Sequence, residues 1–182
     1  MSLKQAKTLM TQDEFWDIIA KSDKGENLHE VLSKFSDDKI FGYCYWWDYF
    51  HTISYKSDLW AVAYVVMGDC DDDNFDDFRY WLIFQGREVF ESAMKDVDSL
   101  CEVFEKMGDN DYPARSEEMT DTPQEIIDER HGDDAFYEME ELYSDLYLDY
   151  PKINFDWDKD DENSIRQICP KTFDKWWGND SF

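Results

Sequence analysis

Apolar residues recur along the chain at intervals of three and four, and acids, glycines and prolines separate the runs. That spacing predicts helices with one buried face. In TQDEFWDII, Thr11 and Glu14 form a capping box, and Met10 and Phe15 sit where a hydrophobic staple belongs. Phe15, Ile18 and Ile19 then share a face. NLHEVLSKF repeats the device with Asn27 and Glu30 and gathers Leu28, Val31, Leu32 and Phe35. Ser36, Asp37 and Asp38 open a third helix by cap and dipole. It continues through KIFGYCYWWDYFHTISY, with Ile40, Cys44, Trp47 and His51 on one face and Tyr43 and Phe50 flanking it. Aromatics all round this helix predict burial on more than one side.

DLWAVAYVVMG, from Asp58 to Gly68, is β-branched enough for a strand, but its flanks are helical punctuation and a short buried helix is expected. DNFDDFRYWLIFQG has acids in its first turn and ends at Gly86. REVFESAMK and DSLCEVFEKMG continue the pattern, the second with Asp98 before it and Gly108 after it. Residues 109–121, around Pro113, read as a polar segment and the best candidate seam in the chain. TPQEIIDERHG is a further capping box, with Thr122 as cap, Pro123 at the first helical position and Gly132 at the end. Asp133 is the expected cap of DAFYEMEELYSDLYLDY, a helix carrying Phe136, Met139, Tyr143 and Leu146 on one side until Pro151 stops it. SIRQIC and KTFDKWWG close the chain as short helices around Pro170. Alternating strand patterns are scarce and no repeat is evident. The expectation is one compact all-α domain of about eight helices over residues 1–182.

Charge changes the picture more than composition does. The net is −26 over 182 residues. Residues 1–68 hold ten acids and seven bases, whereas residues 69–182 hold thirty-four acids and eleven bases. Such a field repels phosphates and anionic lipid, so direct nucleic-acid binding and membrane association are not expected; it favours a basic protein partner, or divalent cations bound loosely. With 18% aromatic residues the chain is too rich in large rings for a disordered acidic tail. No apolar run reaches the ~18 residues of a membrane span, and MSLKQAKTLM does not read as a signal peptide. Cys44, Cys70, Cys101 and Cys169 are well spread, as expected of reduced cysteines in a cytoplasmic protein.

The densest candidate chemistry is GDCDDDNFDDFRYWLIFQGREVF, where five aspartates fall between Asp71 and Asp77. Read as a calcium loop from Asp69, it has Asp71 and Asp73 in place. Asn74 stands where the sharp turn needs Gly, and Tyr80 where the bidentate Glu belongs. No metal is therefore expected. His29, His51 and His131 have no metal-like spacing with the cysteines. There is no phosphate loop, nucleophile elbow, zinc-protease motif or dinucleotide fingerprint, so no cofactor and no catalytic residue is assigned. Asp72 or Asp73 would cap the following helix. Arg79, within an aromatic face, needs a carboxylate partner, for which Asp58, Asp72 and Asp73 are the candidates. These four form the candidate functional cluster. Trp46 and Tyr49, off the inner face of the third helix with Tyr45, and the closing Trp176 and Trp177 are the candidate partner anchors.

Residues 58–100 resemble the signature of a bacterial family called domain of unknown function 4240 (DUF4240). The likeness rests on Asp58, Leu59, Trp60, Ala63, Gly68, Cys70, Asp72, Asp73, Phe75, Phe78, Arg79, Trp81, Leu82, Ile83, Gln85, Gly86, Arg87 and Phe90. MTQDEFWDII and DWDKDDENSIRQICPKTFDKWW are similar to the family's opening and closing patterns, while residues 109–150 depart more. The resemblance implies a mainly helical bacterial domain and supplies no activity. Together these features predict an acidic protein-binding module, in its most concrete form a toxin-neutralising, immunity-type protein. The alternatives are a carboxylate- or metal-dependent hydrolase and a nucleic-acid mimic.

Overall fold

The computed structural model describes residues 3–107 and 118–178. Among these the chain is all α, with no β-strand, as its spacing predicts. The helices are α1 (Gln12–Lys21), α2 (Leu28–Leu32), α3 (Asp37–Ile53), α4 (Ser57–Met67), α5 (Asp72–Phe84), α6 (Arg87–Lys95), α7 (Cys101–Phe104), α8 (Glu118–His131), α9 (Ala135–Glu140), α10 (Glu162–Ile168) and α11 (Pro170–Trp176). Short 3-10 turns stand at Ala6–Thr8 and Val97–Leu100. None of the helices is long and apolar enough to cross a membrane. Of the expected seam, residues 109–117 lie outside the described residues, and the remainder belongs to α8.

The described residues divide between two compact units, one within Met1–Thr52 and Ser116–Asp149, the other within Ile53–Arg115 and Tyr150–Phe182. In the first, the α1 capping box is complete: the Glu14 N–H donates to Thr11 Oγ1, and Glu14 Oε2 accepts the Thr11 N–H. Phe15 of α1 packs on Tyr43 and Phe50 of α3 with ring centroids 5.3 Å apart in both cases. Gly42 has a packing reason: a Cβ there would stand 2.7 Å from Met10 Cβ, so only glycine admits the chain so close to α3. One turn on, the Trp46 indole N–H donates to the Met10 carbonyl at 2.8 Å. On α3, Ile40, Tyr43, Tyr45, Phe50 and His51 are all buried, which confirms burial on several sides and places Tyr45 inward rather than outward.

In the second unit α4 is a buried helix closed by Gly68 at φ 75°, a left-handed cap that β-branched or bulky residues avoid. Trp60 stacks on Phe75 of α5 at 4.5 Å, and Trp81 of α5 stacks on Phe104 of α7 at 5.6 Å. Phe75, Phe78, Leu82, Ile83, Phe90 and Leu100 complete a core shielded from solvent.

Several caps differ from those expected. Asn27 makes no side-chain cap on α2. Helix α8 begins before Thr122, leaving Pro123 near its start, where the missing N–H removes a single ladder bond. Asp133 does not cap α9; instead the Phe136 N–H donates to Asp128 Oδ1 on α8 at 2.9 Å. Asp98 caps no local helix. It is buried and accepts from the N–H groups of Lys171 and Thr172 and from the Thr172 hydroxyl, capping α11 from 73 residues away. The largest departure is the helix expected to run from Asp133 to Pro151, which stops at Glu140.

Beyond it, residues 141–149 form an irregular strap. The Lys4 N–H donates to the Leu142 carbonyl and the Ser144 N–H to the Lys4 carbonyl, making a lone parallel bridge between Lys4 and Tyr143. Asp145 accepts from the N–H groups of Ala6 and Lys7, and the Leu148 N–H donates to Asp48 Oδ2 at 2.7 Å. Tyr143 stacks on Phe41 at 4.4 Å. Each of these contacts uses a group that helix continuation would need or would aim elsewhere.

Candidate functional site

Helix α5 starts where the acid run meets the aromatic run. Asp71 caps it by accepting the Asn74 N–H at 3.0 Å, a role expected of Asp72 or Asp73. The cap stands three residues before the N–H it accepts from, and Asp71 rather than its neighbours holds that register. Asp72 and Asp73 occupy the exposed first turn, where the positive end of the helix favours them. Arg79, one face further on, is fully buried. A carboxylate that meets its guanidinium is Asp76, on the preceding turn of the same helix.

Arg79 is also enclosed by rings. Its guanidinium carbon lies 4.9 Å from the Tyr55 centroid, 5.1 Å from that of Phe75 and 5.3 Å from that of Tyr150. A planar, weakly hydrated cation tolerates such a cage because ring faces and carboxylate oxygens replace its water. Tyr55 links the cage to the acids, its hydroxyl donating to Asp72 Oδ1 at 3.4 Å. Burial first, then Asp76, pushes the Tyr80 phenol up to about 12. Asp58 has other business: it pairs with Lys56 at 3.0 Å and accepts its neighbour's Leu59 N–H. It lines, with Tyr55, Ile153 and Asp156, an open recess of about 560 Å³. The predicted cluster therefore joins Arg79 and Asp72 through Tyr55, leaves Asp73 on the exposed turn and turns Asp58 to the recess. An enclosed guanidinium pins α5 and Tyr150; it does not present a charge to a ligand.

The candidate anchors are held within their own units. Trp46 is half-buried with its indole N–H on Met10, and Tyr49 is half-buried against Tyr45 and Phe50. Trp176 is buried against Phe104, and Trp177 stacks on Phe173 at 4.9 Å. The large apolar residues most open to solvent lie elsewhere. Apart from Leu3 they are Tyr137, Leu142, Tyr147, Tyr150 and Phe155, all within the acidic stretch after α8. Helical periodicity hides this, because a helix through residue 150 would have turned part of that set inward.

Tyr147 is the most open of them, 67% exposed. Its hydroxyl donates to Glu140 Oε2 at 2.6 Å, and desolvation together with that bond raises the phenol well above its ordinary value. Glu140, Glu141, Tyr143, Ser144, Leu146 and Tyr147 line a shallow recess of about 220 Å³. That is below the ~300–1,000 Å³ of small-molecule pockets. A larger recess of about 530 Å³ lies between α1 and α2, floored by Ile18, Val31 and Phe35; two of its rim acids are already paired, Glu14 with Lys39 and Glu30 with Lys34.

The carboxyl raised furthest is Asp48, pushed from 3.8 to about 6 by burial against the opposing Leu148 hydrogen bond. It lines none of these recesses. The four cysteines are free, and burial pushes Cys44, Cys70 and Cys169 up to about 12, far from a reactive thiolate. Among the described residues no three His, Cys, Asp or Glu side chains are grouped to hold a metal ion.

Comparison with protein families matches residues 10–147 to the model described as a protein of unknown function, DUF4240. The match includes the Arg79 helix and the Glu140–Tyr147 recess and stops short of the closing segment. No curated protein and no solved structure matches the chain.

Proposed function

Because the chain belongs to the DUF4240 family, which carries no assigned activity, we propose on physical grounds that it is an acidic binding module engaging a basic protein surface. One observation carries the reading: in the first unit the exposed rings Tyr137 and Tyr147, with Leu142, stand in a stretch that holds five acids and no lysine or arginine between residues 137 and 149. Open aromatics supply contact area, and surrounding carboxylates steer and select a cationic partner. The net charge of −26 extends that steering beyond the contact itself. Toxin neutralisation in a bacterial cell is the concrete form we favour, since a small acidic domain can occlude a basic active surface. Four free cysteines suit the reducing cytoplasm in which such a protein would work.

The test is to recover proteins bound to the tagged full chain, purify the partner and titrate it at increasing salt. A basic partner is expected whose affinity falls about tenfold or more between roughly 0.05 and 0.5 M salt. An affinity indifferent to salt, or an acidic partner, overturns the reading. Displacement of the chain from a DNA-binding partner by DNA would favour the nucleic-acid mimic over the immunity-type form.

A further inference from the structure

The strap holds two tyrosine–carboxylate pairs four residues apart. In the first, the Tyr143 hydroxyl donates to Asp38 Oδ1 at 2.8 Å. A cation completes it: Lys4 Nζ sits 5.6 Å from the Tyr143 ring centroid and 2.6 Å from the same Asp38 oxygen. The chain thus supplies its own lysine to a ring and a carboxylate held together by a phenol hydrogen bond. In the second pair, the Tyr147 hydroxyl donates to Glu140 Oε2 at 2.6 Å, and the ring stands open to solvent with the exposed Glu141 beside it. No cation of the described residues covers that ring.

We infer that the recess beside Tyr147 seats a single lysine or arginine side chain of the basic partner, in the manner of Lys4 on Tyr143 and Asp38. This rests on the binding reading above and gives it a location. The hydrogen bond to Glu140 fixes the ring before binding, so little ordering remains when a cation arrives. The ring face attracts the cation, Glu140 and Glu141 supply the counter-charge, and Leu146 and the Tyr143 edge receive the methylene stem. A recess of about 220 Å³ suits one long side chain better than a whole small ligand. An anion or an acidic peptide has nothing to meet there.

The probe is an acetylated, amidated peptide of lysines alternating with glycines, titrated into the full-length protein while tyrosine ring signals are followed by NMR. The control peptide replaces each lysine with norleucine. Saturable, salt-sensitive shifts at Tyr147 are expected with the lysine peptide alone. Tyr147→Leu should weaken binding about threefold, and Glu141→Gln by a similar factor. Glu88→Gln at an exposed position of α6, an equal change in net charge, should alter it much less. If the peptide binds without shifting Tyr147, or if all three variants weaken it equally, the recess is overturned while the general acidic reading stands. If the lysine peptide does not bind at all but a purified basic partner does, the recess alone again falls. If neither binds, both fall.

Discussion

Helix α5 and the strap at residues 141–149 are written in nearly the same alphabet. DDNFDDFRYWLIF and ELYSDLYLD both mix acids with large rings at helical spacing. One is a helix of thirteen residues, and the other leaves the α-helix at Glu140 and, after a closing turn through Tyr143, runs on irregularly. The difference lies in where the polar groups find partners. In α5, Asp71 caps from one residue outside, Asp76 meets Arg79 three residues on, and the ladder satisfies the backbone. In the strap, Ser144, Asp145 and Leu148 bond to Lys4, Ala6, Lys7 and Asp48, all distant in sequence. Ser and Asp compete readily with helix hydrogen bonding, so external partners win where they are available. Amphipathic spacing predicts a buried face; it does not by itself guarantee the helix.

The contrast can be broken most forcefully at Arg79. Arg79→Ala empties the ring cage and removes the partner of Asp76, and should cost about 3 kcal/mol in urea unfolding. A loss under about 1 kcal/mol would mean that α5 does not depend on its internal pair. Next comes a comparison of caps. Asp98→Ala strips three donors at α11, the Thr172 pair among them buried, and should cost about 2–3 kcal/mol. Asp71→Ala removes one exposed local cap and should cost about 1 kcal/mol. Equal losses would show that remote capping carries no special weight.

The strap itself is probed through Asp48. Its folded pKa, raised from 3.8 to about 6, means that the native state holds a proton that the unfolded chain releases. Between those values stability therefore falls as pH rises, and above about 6 the penalty is complete. Asp48→Asn keeps an acceptor for the Leu148 N–H and removes this titration. It should gain on the order of 1 kcal/mol over the parent at pH 7, with the advantage vanishing near pH 4. The difference between the two proteins is the relevant quantity, because Glu14 and Asp38, lowered chiefly by their hydrogen bonds to Lys39 and Lys4, shift the parent's profile in the opposite sense. A gain that does not change with pH would show that Asp48 is not held protonated by its site. Smallest of all, Tyr143→Phe should cost about 0.5 kcal/mol, since Asp38 keeps Lys4.

By itself the sequence determined the all-α class, the Thr11–Glu14 box, the buried α4 with its Gly68 stop, and the burial of Arg79 beside a carboxylate. Each is a relation within one or two helical turns, where spacing translates directly into geometry. It also carried the family likeness, which is densest in α4 and α5. Tertiary structure alone decided which of 44 acids does what. Asp98 and Asp128 cap distant or neighbouring helices, Asp145 caps the first turn of the chain, and Asp76 takes Arg79 ahead of the acids nearer the cap. With so many carboxylates of equal local merit, sequence spacing cannot rank them; the choice falls to whichever one packing brings to an unsatisfied N–H. The same rule left Tyr147 more open than Trp46, Tyr49, Trp176 and Trp177, because the unwinding that exposes it is set by partners as far away as Lys4.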